Sequence, residues 1–364
     1  MMKKLLQGLA FMSLSPLVIE AAPLMYVPSG GANDLVIIDL DSDTIVGRIP
    51  ELENAHGLAA SPGGDYLVAG SMQQKDTGAA PEAEKPAAVS EAEHAAHHAG
   101  AAKPAQATSL SYVSIIRPEQ GRVMRRIAVR GFTHHTAVSP DGKYAVAVHS
   151  GAGGITVIDL EGMAVIREIQ TGQSPNYALF SHNGERLYIS DAFSGTVSEI
   201  DTRGWRERRN IAVGKEPEHM VLAPDGATLY VANVGDGQVA AVNLDTGLVK
   251  KRYPIGDQPH GIDITADGQF LFASSQGGGK LVRIDLNSGE SLSVGLQPAP
   301  YHLDYADAVR KLYVSSRKEA KIWIVDPTSL AVRGEINIGR GIAHQMVVID
   351  GGKSDGNGKA KKQR

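Results

Sequence analysis

Histidine recurs at one place in an internal repeat of this chain, the first two positions of the strand that begins each repeat. The residues at these positions are His56, His134, His135, His219, His260, His302 and His344. A random distribution of the chain's twelve histidines over 364 residues would place fewer than one of them there. Neutral imidazole is a good ligand for copper, zinc, nickel and iron. If the fold brings these side chains together, they would form a transition-metal site.

The repeat that positions the histidines is clearest between Pro217 and Gly256. Four short apolar segments, MVLA, ATLYVAN, QVAAVNL and VKKRYPI, are separated by turns at Asp225-Gly226, Gly235-Asp236-Gly237 and Asp245-Thr246-Gly247. Apolar runs bounded by such turns indicate β-strands. Four strands in a unit that recurs about every 42 residues are typical of a β-propeller blade.

The two ends of the repeat array complement each other. Residues 24–27, 34–39 and 44–49 match the second, third and fourth strands of a blade, and residues 342–349 match a first strand with nothing after it. Pairing the two ends would close the ring and remove two exposed sheet edges. The sequence therefore predicts an all-β, seven-bladed propeller whose N- and C-terminal strands are clasped in one blade.

In a propeller the innermost strand of each blade lines the central channel and begins at its mouth. Six of the seven blades would therefore direct an imidazole into one small space, which Tyr177 completes from the remaining blade. Side chains alternate along a strand, however, and His56 and His260 stand one position earlier than the other single histidines. Gly57 and Gly261 follow them directly, so we expect these glycines to let the backbone rotate toward the channel.

The chemistry expected of such a site is that of copper or zinc. Several imidazoles without thiolate or carboxylate suit these ions better than calcium or magnesium. Crowding should lower the histidine pKa values, which favours metal uptake at neutral pH and metal loss on acidification. His149 and Asp191 occupy loop positions where they would form an outer layer around the site, with Tyr177 at the mouth. A purely structural role, with the rings bonded to loop carbonyls and channel water, is the alternative.

Three segments stand outside this pattern. Residues 1–21, with Lys3 and Lys4 before a short apolar run, resemble a secretory signal. Residues 73–108, rich in Ala, Pro and Glu, interrupt the second blade and are expected to be disordered. This insert carries His94, His97 and His98. In one interpretation these histidines capture metal near the mouth, and in the other the insert is a solvated linker in which they are incidental. A basic tail, residues 351–364, is also expected to be disordered, which leaves residues 22–350 for the propeller.

Composition limits the possible partners and cofactors. A net charge of −4 gives no basic field for nucleic acid. The absence of cysteine excludes disulfides, thiolate zinc sites, iron–sulfur clusters and a CxxCH haem attachment. With the signal cleaved no membrane span is expected, so the sequence predicts a periplasmic or secreted protein.

With the element Tyr230-Val-Ala-Asn233 in this setting, the chain resembles the YVTN-repeat β-propellers. It is similar in architecture to the propeller of nitrous oxide reductase and to d-type haem propeller domains. The resemblance to nitrous oxide reductase implies channel histidines that hold copper, including a pair like His134-His135. The chain departs from it by lacking a cysteine-bearing electron-entry domain and by having Tyr177 where a further histidine is expected.

The sequence thus favours a metal-binding accessory protein, with copper before zinc. The partners we expect are the metal ion and a periplasmic protein. No catalytic residue is assigned, because the chain has no GxSxG, HExxH, EF-hand or Walker pattern. Two alternatives remain open. In one, one or two histidines are axial ligands of a tetrapyrrole or another redox cofactor. In the other, the propeller is a non-catalytic scaffold that binds proteins through its loops.

Overall fold

A computed structural model describes residues 22–76 and 109–349, and these residues are almost entirely β-strands and turns. Two single turns of 3-10 helix, Pro118–Gln120 and Val234–Asp236, are the helical elements among them. No described helix is long and apolar enough to cross a membrane. The predicted signal, most of the insert with His94, His97 and His98, and the tail lie outside the described residues.

The strands form seven antiparallel sheets among the described residues, one for each blade. Blade 1 contains β1 (Leu24–Gly30), β2 (Asp34–Asp39) and β3 (Thr44–Ile49). Blade 2 contains β4 (Ala55–Ala60), β5 (Leu67–Ser71), β6 (Lys75–Asp76), β7 (Ser109–Arg117) and β8 (Arg122–Arg130). Blade 3 contains β9 (Thr136–Val138), β10 (Tyr144–Val148), β11 (Ile155–Asp159) and β12 (Ala164–Ile169).

The next four blades follow the repeat closely. Blade 4 contains β13 (Pro175–Phe180), β14 (Arg186–Asp191), β15 (Thr196–Asp201) and β16 (Arg206–Ala212). Blade 5 contains β17 (Pro217–Leu222), β18 (Thr228–Asn233), β19 (Gln238–Asn243) and β20 (Leu248–Pro254). Blade 6 contains β21 (Pro259–Ile264), β22 (Phe270–Ser275), β23 (Lys280–Asp285) and β24 (Ser291–Gly295). Blade 7 contains β25 (Pro300–Ala306), β26 (Lys311–Ser316), β27 (Lys321–Val325) and β28 (Val332–Asn337).

The end of the chain closes the ring as predicted. The expected last strand is split into β29 (Ile342–Ala343) and β30 (Val347–Ile349), and both pair with β1. The buried carboxylate of Asp34 secures the junction, because its Oδ2 lies 3.0 Å from the guanidinium groups of both Arg48 and Arg340. Blade 1 therefore contains strands from both ends of the chain.

The hydrophobic core lies between the blades. One apolar cluster fills each interface between neighbouring blades. The middle strands contribute both of their faces, which explains their continuous apolar sequences. Between blades 1 and 2, for example, Leu35 and Ile49 pack with Leu58 and Leu67, all fully buried. The ring is thus rigid around a channel whose wall is formed by the innermost strands.

One detail differs from the expected domain limits. The predicted disordered insert begins at residue 73, yet residues 73–76 are described and β6 pairs with Ser109 and Leu110 of β7. This pairing extends the second blade beyond the regular repeat at the point where the insert leaves it.

Candidate metal centre

The innermost strands begin with a β-bulge. In blade 5, Pro217 is opposite Asn233 and Met220 is opposite Val231, so Glu218 and His219 together oppose a single residue. The same interruption begins the innermost strands of blades 2, 4, 6 and 7. A bulge locally breaks the alternation of side chains and re-aims them. Both histidine positions can therefore face the channel.

Gly57 and Gly261 were expected to let the backbone rotate toward the channel, but they have a different role. Neither has a positive φ, so the predicted backbone rotation is wrong. A Cβ on Gly57 would lie 2.5 Å from the Cα of His135, and one on Gly261 would lie 2.6 Å from the carbonyl oxygen of Tyr301. The two glycines instead allow the innermost strands of neighbouring blades to approach closely.

Five of the seven predicted histidines form two overlapping groups. Ring nitrogens of His56, His135 and His302 lie within 4.8 Å of one another, as do those of His219, His260 and His302. A tetrahedral ion with metal–nitrogen bonds of about 2.0–2.1 Å holds its ligand nitrogens roughly 3.4 Å apart. Small inward rotations of the rings would therefore bring either group to bonding distance. His302 belongs to both groups and lies at the centre of the cluster.

The other two predicted ligands flank His56. The ring of His134 stacks on it, with centroids 4.5 Å apart, and the ring of His344 lies 4.2 Å away on centroids. Gly30 makes room for His344, because a Cβ at that position would clash with the His344 ring. All seven predicted histidines thus converge in the channel, five in the two groups and two beside them. Whether they bind metal remains a prediction.

Hydrogen bonds set the tautomer of His135. Its Nδ1 lies 2.9 Å from the carbonyl oxygen of Asn176, which can only accept, so Nδ1 carries the proton. Nε2 is then unprotonated, and it is buried without a hydrogen-bond partner among the described residues. His302 Nε2 likewise has no partner there. Both groups therefore contain a ring nitrogen whose hydrogen-bonding capacity is not satisfied.

Four of the seven histidines are uncharged at physiological pH. Burial, followed by the neighbouring imidazoles, holds the pKa values of His56 and His302 well below the usual range. Burial also lowers the pKa of His135 far below its ordinary value, with His219 as the next cause. Burial and then the Arg317 guanidinium lower the pKa of His344 to about 3. Neutral imidazole is the form that binds a metal ion.

Glu218 adds a carboxylate that was not among the predicted metal ligands. Its Oε2 lies 3.0 Å from Nδ1 of His260, and both side chains are buried. A carboxylate close to one ring nitrogen of a histidine favours a proton on that nitrogen and orients the ring, as is common around metal-bound histidines. The available signal was positional, because Glu218 occupies in blade 5 the place that His56 has in blade 2.

Two tyrosines complete the cluster. Tyr177 packs on His219 with centroids 4.7 Å apart, and its hydroxyl accepts from Nε2 of Gln345 at 3.1 Å. Tyr301, which the sequence analysis left out of the site, is fully buried. Its ring stacks on His260 at 4.2 Å, and its hydroxyl lies 3.3 Å from Nε2 of His56. Burial raises the pKa values of both tyrosines, so both hydroxyls stay protonated.

The residues expected in an outer layer point elsewhere. His149 is bonded to the carbonyl oxygen of Phe132 and to Thr156 within blade 3, and burial lowers its pKa to about 4. Asp191 accepts from Ser198 within blade 4, and burial raises its pKa to about 6. Their hydrogen bonds stabilise the loops of their own blades and do not reach the histidine cluster.

Comparison with protein families agrees with the architecture. The family model described as "Lactonase, 7-bladed beta-propeller" matches residues 53–291. The match confirms the seven-bladed propeller class, while the resemblance to YVTN-repeat propellers remains a prediction. No sequence among curated proteins matches this chain significantly.

Solved structures with the same fold include proteins of different activities. Hydrazine synthase from Kuenenia stuttgartiensis has a TM-score of 0.64 and 16% identity, over 84% of this chain and 95% of its own. The periplasmic gluconolactonase PpgL of Pseudomonas aeruginosa has a TM-score of 0.67 and 15% identity, over 90% of this chain and 99% of its own. The dihydro-haem d1 dehydrogenase NirN in complex with DHE has a TM-score of 0.60 and 15% identity, over 86% and 63%. Identities this low show a shared fold and nothing about activity.

Proposed function

We propose that this chain, which belongs to the lactonase family of seven-bladed β-propellers, binds a transition-metal ion in its histidine cluster and acts as a metal-handling accessory protein. One observation carries the proposal. Ring nitrogens of His56, His135 and His302 lie within 4.8 Å of one another, and all three buried imidazoles are uncharged at neutral pH. Buried imidazoles in such numbers leave lone pairs that a purely structural cluster would have to satisfy by hydrogen bonds.

Copper is the preferred ion and zinc the second. The donors available in the cluster are imidazole nitrogens, since the chain has no cysteine. Nitrogen ligands bind Cu²⁺ more tightly than Zn²⁺ and far more tightly than Mn²⁺, and calcium and magnesium prefer oxygen. We assign no catalytic step to the bound ion.

The setting we propose is the periplasm, with a protein that delivers or receives the ion as partner. Residues 1–21 resemble an export signal, and the similar structure PpgL is described as periplasmic. The relationship to PpgL supports the setting through the fold alone, so fractionation of the native cells has to test it.

The tetrapyrrole alternative is favoured by one comparison and opposed by the packing. NirN, which shares the fold, is in complex with the ligand DHE. Yet the cavity next to His134 has a volume of only about 30 Å³, whereas pockets for cofactors of this size usually measure roughly 300–1,000 Å³. The wider depression beyond it, near 850 Å³, has no histidine in its lining. A single small ion therefore fits the cluster better than a macrocycle.

The test measures metal binding to untagged protein in which His94, His97 and His98 are replaced by Ala, so that the insert cannot contribute. Titration with Cu²⁺ and Zn²⁺ should show at least one tight site per chain. His302→Gln should abolish it, because both groups share His302, while the exposed turn residue His182, replaced by Gln, serves as control. Unchanged binding in folded H302Q protein would refute the site, and a Soret band in protein from native cells would favour the tetrapyrrole.

A further inference from the structure

A funnel opens on the same face as the histidines, between blades 3 and 5. Its outer part is a depression of about 850 Å³ lined by Phe193, Lys215, Glu216 and Arg252, among others. Its inner part is the cavity of about 30 Å³, whose lining includes His134, Asn176, Glu216 and Glu218. Phe193 and Glu216 line both parts, so the two adjoin. His134 and Glu218 in the inner lining place that part beside the histidine cluster.

The narrow part of the funnel presents oxygen atoms. Asn176 is 6% exposed, and its side-chain oxygen Oδ1 is buried without a hydrogen-bond partner among the described residues. Glu216 is half-buried and forms no ion pair within residues 22–76 and 109–349. Glu218 connects this cavity to the cluster, since its carboxylate contacts His260 at 3.0 Å. Two carboxylates and an unsatisfied amide oxygen around a volume of this size suit a small cation.

The opposite side of the mouth has the opposite charge. The guanidinium carbon of Arg317 lies 5.2 Å from the centre of the Tyr301 ring in blade 7. No described carboxylate forms an ion pair with Arg317, and its Nε is buried without a hydrogen-bond partner. A cation approaching the mouth is therefore repelled at blade 7, whereas at blade 5 Glu216 and Glu218 attract it and are offset at the outer rim by Lys215 and Arg252.

We propose that Glu216, Glu218 and Asn176 form an outer cation-binding site through which a hydrated divalent metal ion enters the histidine cluster. This inference rests on the proposed function and adds the route. The ion would exchange water for the carboxylate and amide oxygens, and then exchange these for imidazole nitrogens, which copper and zinc prefer. Each exchange replaces one neutral or anionic ligand by another, with no change in oxidation state.

Glu216 is the residue that separates the route from the final site, because it lines both parts of the funnel and does not belong to the histidine groups. The experiment follows Zn²⁺ uptake by stopped-flow competition with a chromophoric chelator. It uses the variant without the three insert histidines as the reference protein. Glu216→Gln is compared with Glu161→Gln, an exposed carboxylate in the β11–β12 turn on the opposite face.

Loss of an attracting charge at an entrance typically slows association by about tenfold or more at low salt. We expect E216Q to slow uptake and release of Zn²⁺ by a similar factor and to leave the equilibrium affinity unchanged, with E161Q matching the reference. Unchanged rates in E216Q, with normal metal binding, would overturn the route and leave the proposed function intact. Faster release of Zn²⁺ with an unchanged uptake rate would make Glu216 a ligand of the final site and also overturn the route. Absence of any uptake by the reference protein would overturn both proposals.

Discussion

The carboxylate of Glu218 lies 3.0 Å from Nδ1 of His260, whose ring also contacts the rings of His219 and Tyr301. Glu218 and His260 are almost completely buried, at 4% and 3% exposed. A buried carboxylate is costly unless it is paired or hydrogen-bonded. Its presence next to a histidine that could bind metal therefore indicates a role in orienting that ring.

Replacing Glu218 by Gln should weaken metal binding without unfolding the protein. The amide is nearly isosteric with the carboxylate, but it lacks the charge that raises the basicity of the His260 ring. Loss of such a partner usually costs about 10- to 100-fold in metal affinity. Isothermal titration with Zn²⁺ measures this directly, with Glu161→Gln as the matched control. An affinity within twofold of the parent protein would show that Glu218 does not act through His260.

Acidification should destabilise the metal-free protein. The pKa values of His56, His135, His149, His302 and His344 are lower in the folded state than in the unfolded chain. Below about pH 6.5 the unfolded chain therefore binds more protons, and each such histidine removes up to about 1.4 kcal/mol of stability per pH unit. Asp191 and Asp263, whose pKa values burial raises to about 6, act in the opposite direction.

Because five histidines oppose two carboxyl groups, the metal-free protein should lose stability as the pH falls from 6.5 toward 4. Urea unfolding at pH 8, 7, 6 and 5 measures it, and the midpoint should be similar at the two higher values and then decrease. A midpoint that is constant or rises from pH 7 to pH 5 would mean that the buried imidazoles do not determine the acid stability.

Gly57→Ala and Gly261→Ala should each destabilise the ring. The new methyl group would contact backbone atoms of the adjacent innermost strand at 2.5–2.6 Å, and backbone atoms cannot move aside as a flexible side chain does. Overpacking of this kind typically costs about 1–3 kcal/mol. Gly295→Ala is the control, because its Cβ meets nothing within 4 Å. Chemical denaturation distinguishes these variants, and an equal effect at all three positions would contradict the close-approach explanation.

Gly30→Ala tests the position of His344 separately. The added methyl group would meet the imidazole ring, which can rotate, so the cost should appear in the site more than in the fold. We expect the His344 ring to leave His56, which NMR of the imidazole resonances would detect as a pKa closer to the usual value. His344 resonances that do not change would show that the ring adapts without moving away.

The sequence was sufficient to predict the ring and the location of the histidines. The repeat identified the innermost strands, and the complementary ends predicted the pairing of β1 with the C-terminal strands. Side-chain direction was harder to predict, because alternation along a regular strand separates His56 and His260 from the other histidines. The bulge that resolves this conflict depends on the pairing of two strands, as Pro217 opposite Asn233 and Met220 opposite Val231 show.

Contacts between residues of different blades could not be predicted from the sequence either. Glu218 and Tyr301 stand in the same two positions of the repeat as the histidines, yet only the assembled ring shows that they contact His260 and His56. For His149 the sequence led to the opposite error. Its position in a mouth-facing loop suggested an outer-layer role around the metal site, but its side chain bonds to Phe132 and Thr156 instead. The position of a residue within the repeat predicts where it lies in the ring, whereas the direction of its side chain depends on contacts with the neighbouring blade.

The pairing of Ser29 with Ala343 joins residues from the two ends of the chain. His344 follows directly, so the imidazole beside His56 is synthesised only after strands β1 to β28. A nascent or truncated polypeptide that ends before residue 342 lacks the His344 imidazole and the strand that holds it. Maturation of the histidine cluster is therefore delayed until translation has passed the final blade, and an incomplete chain cannot sequester an ion in the finished geometry.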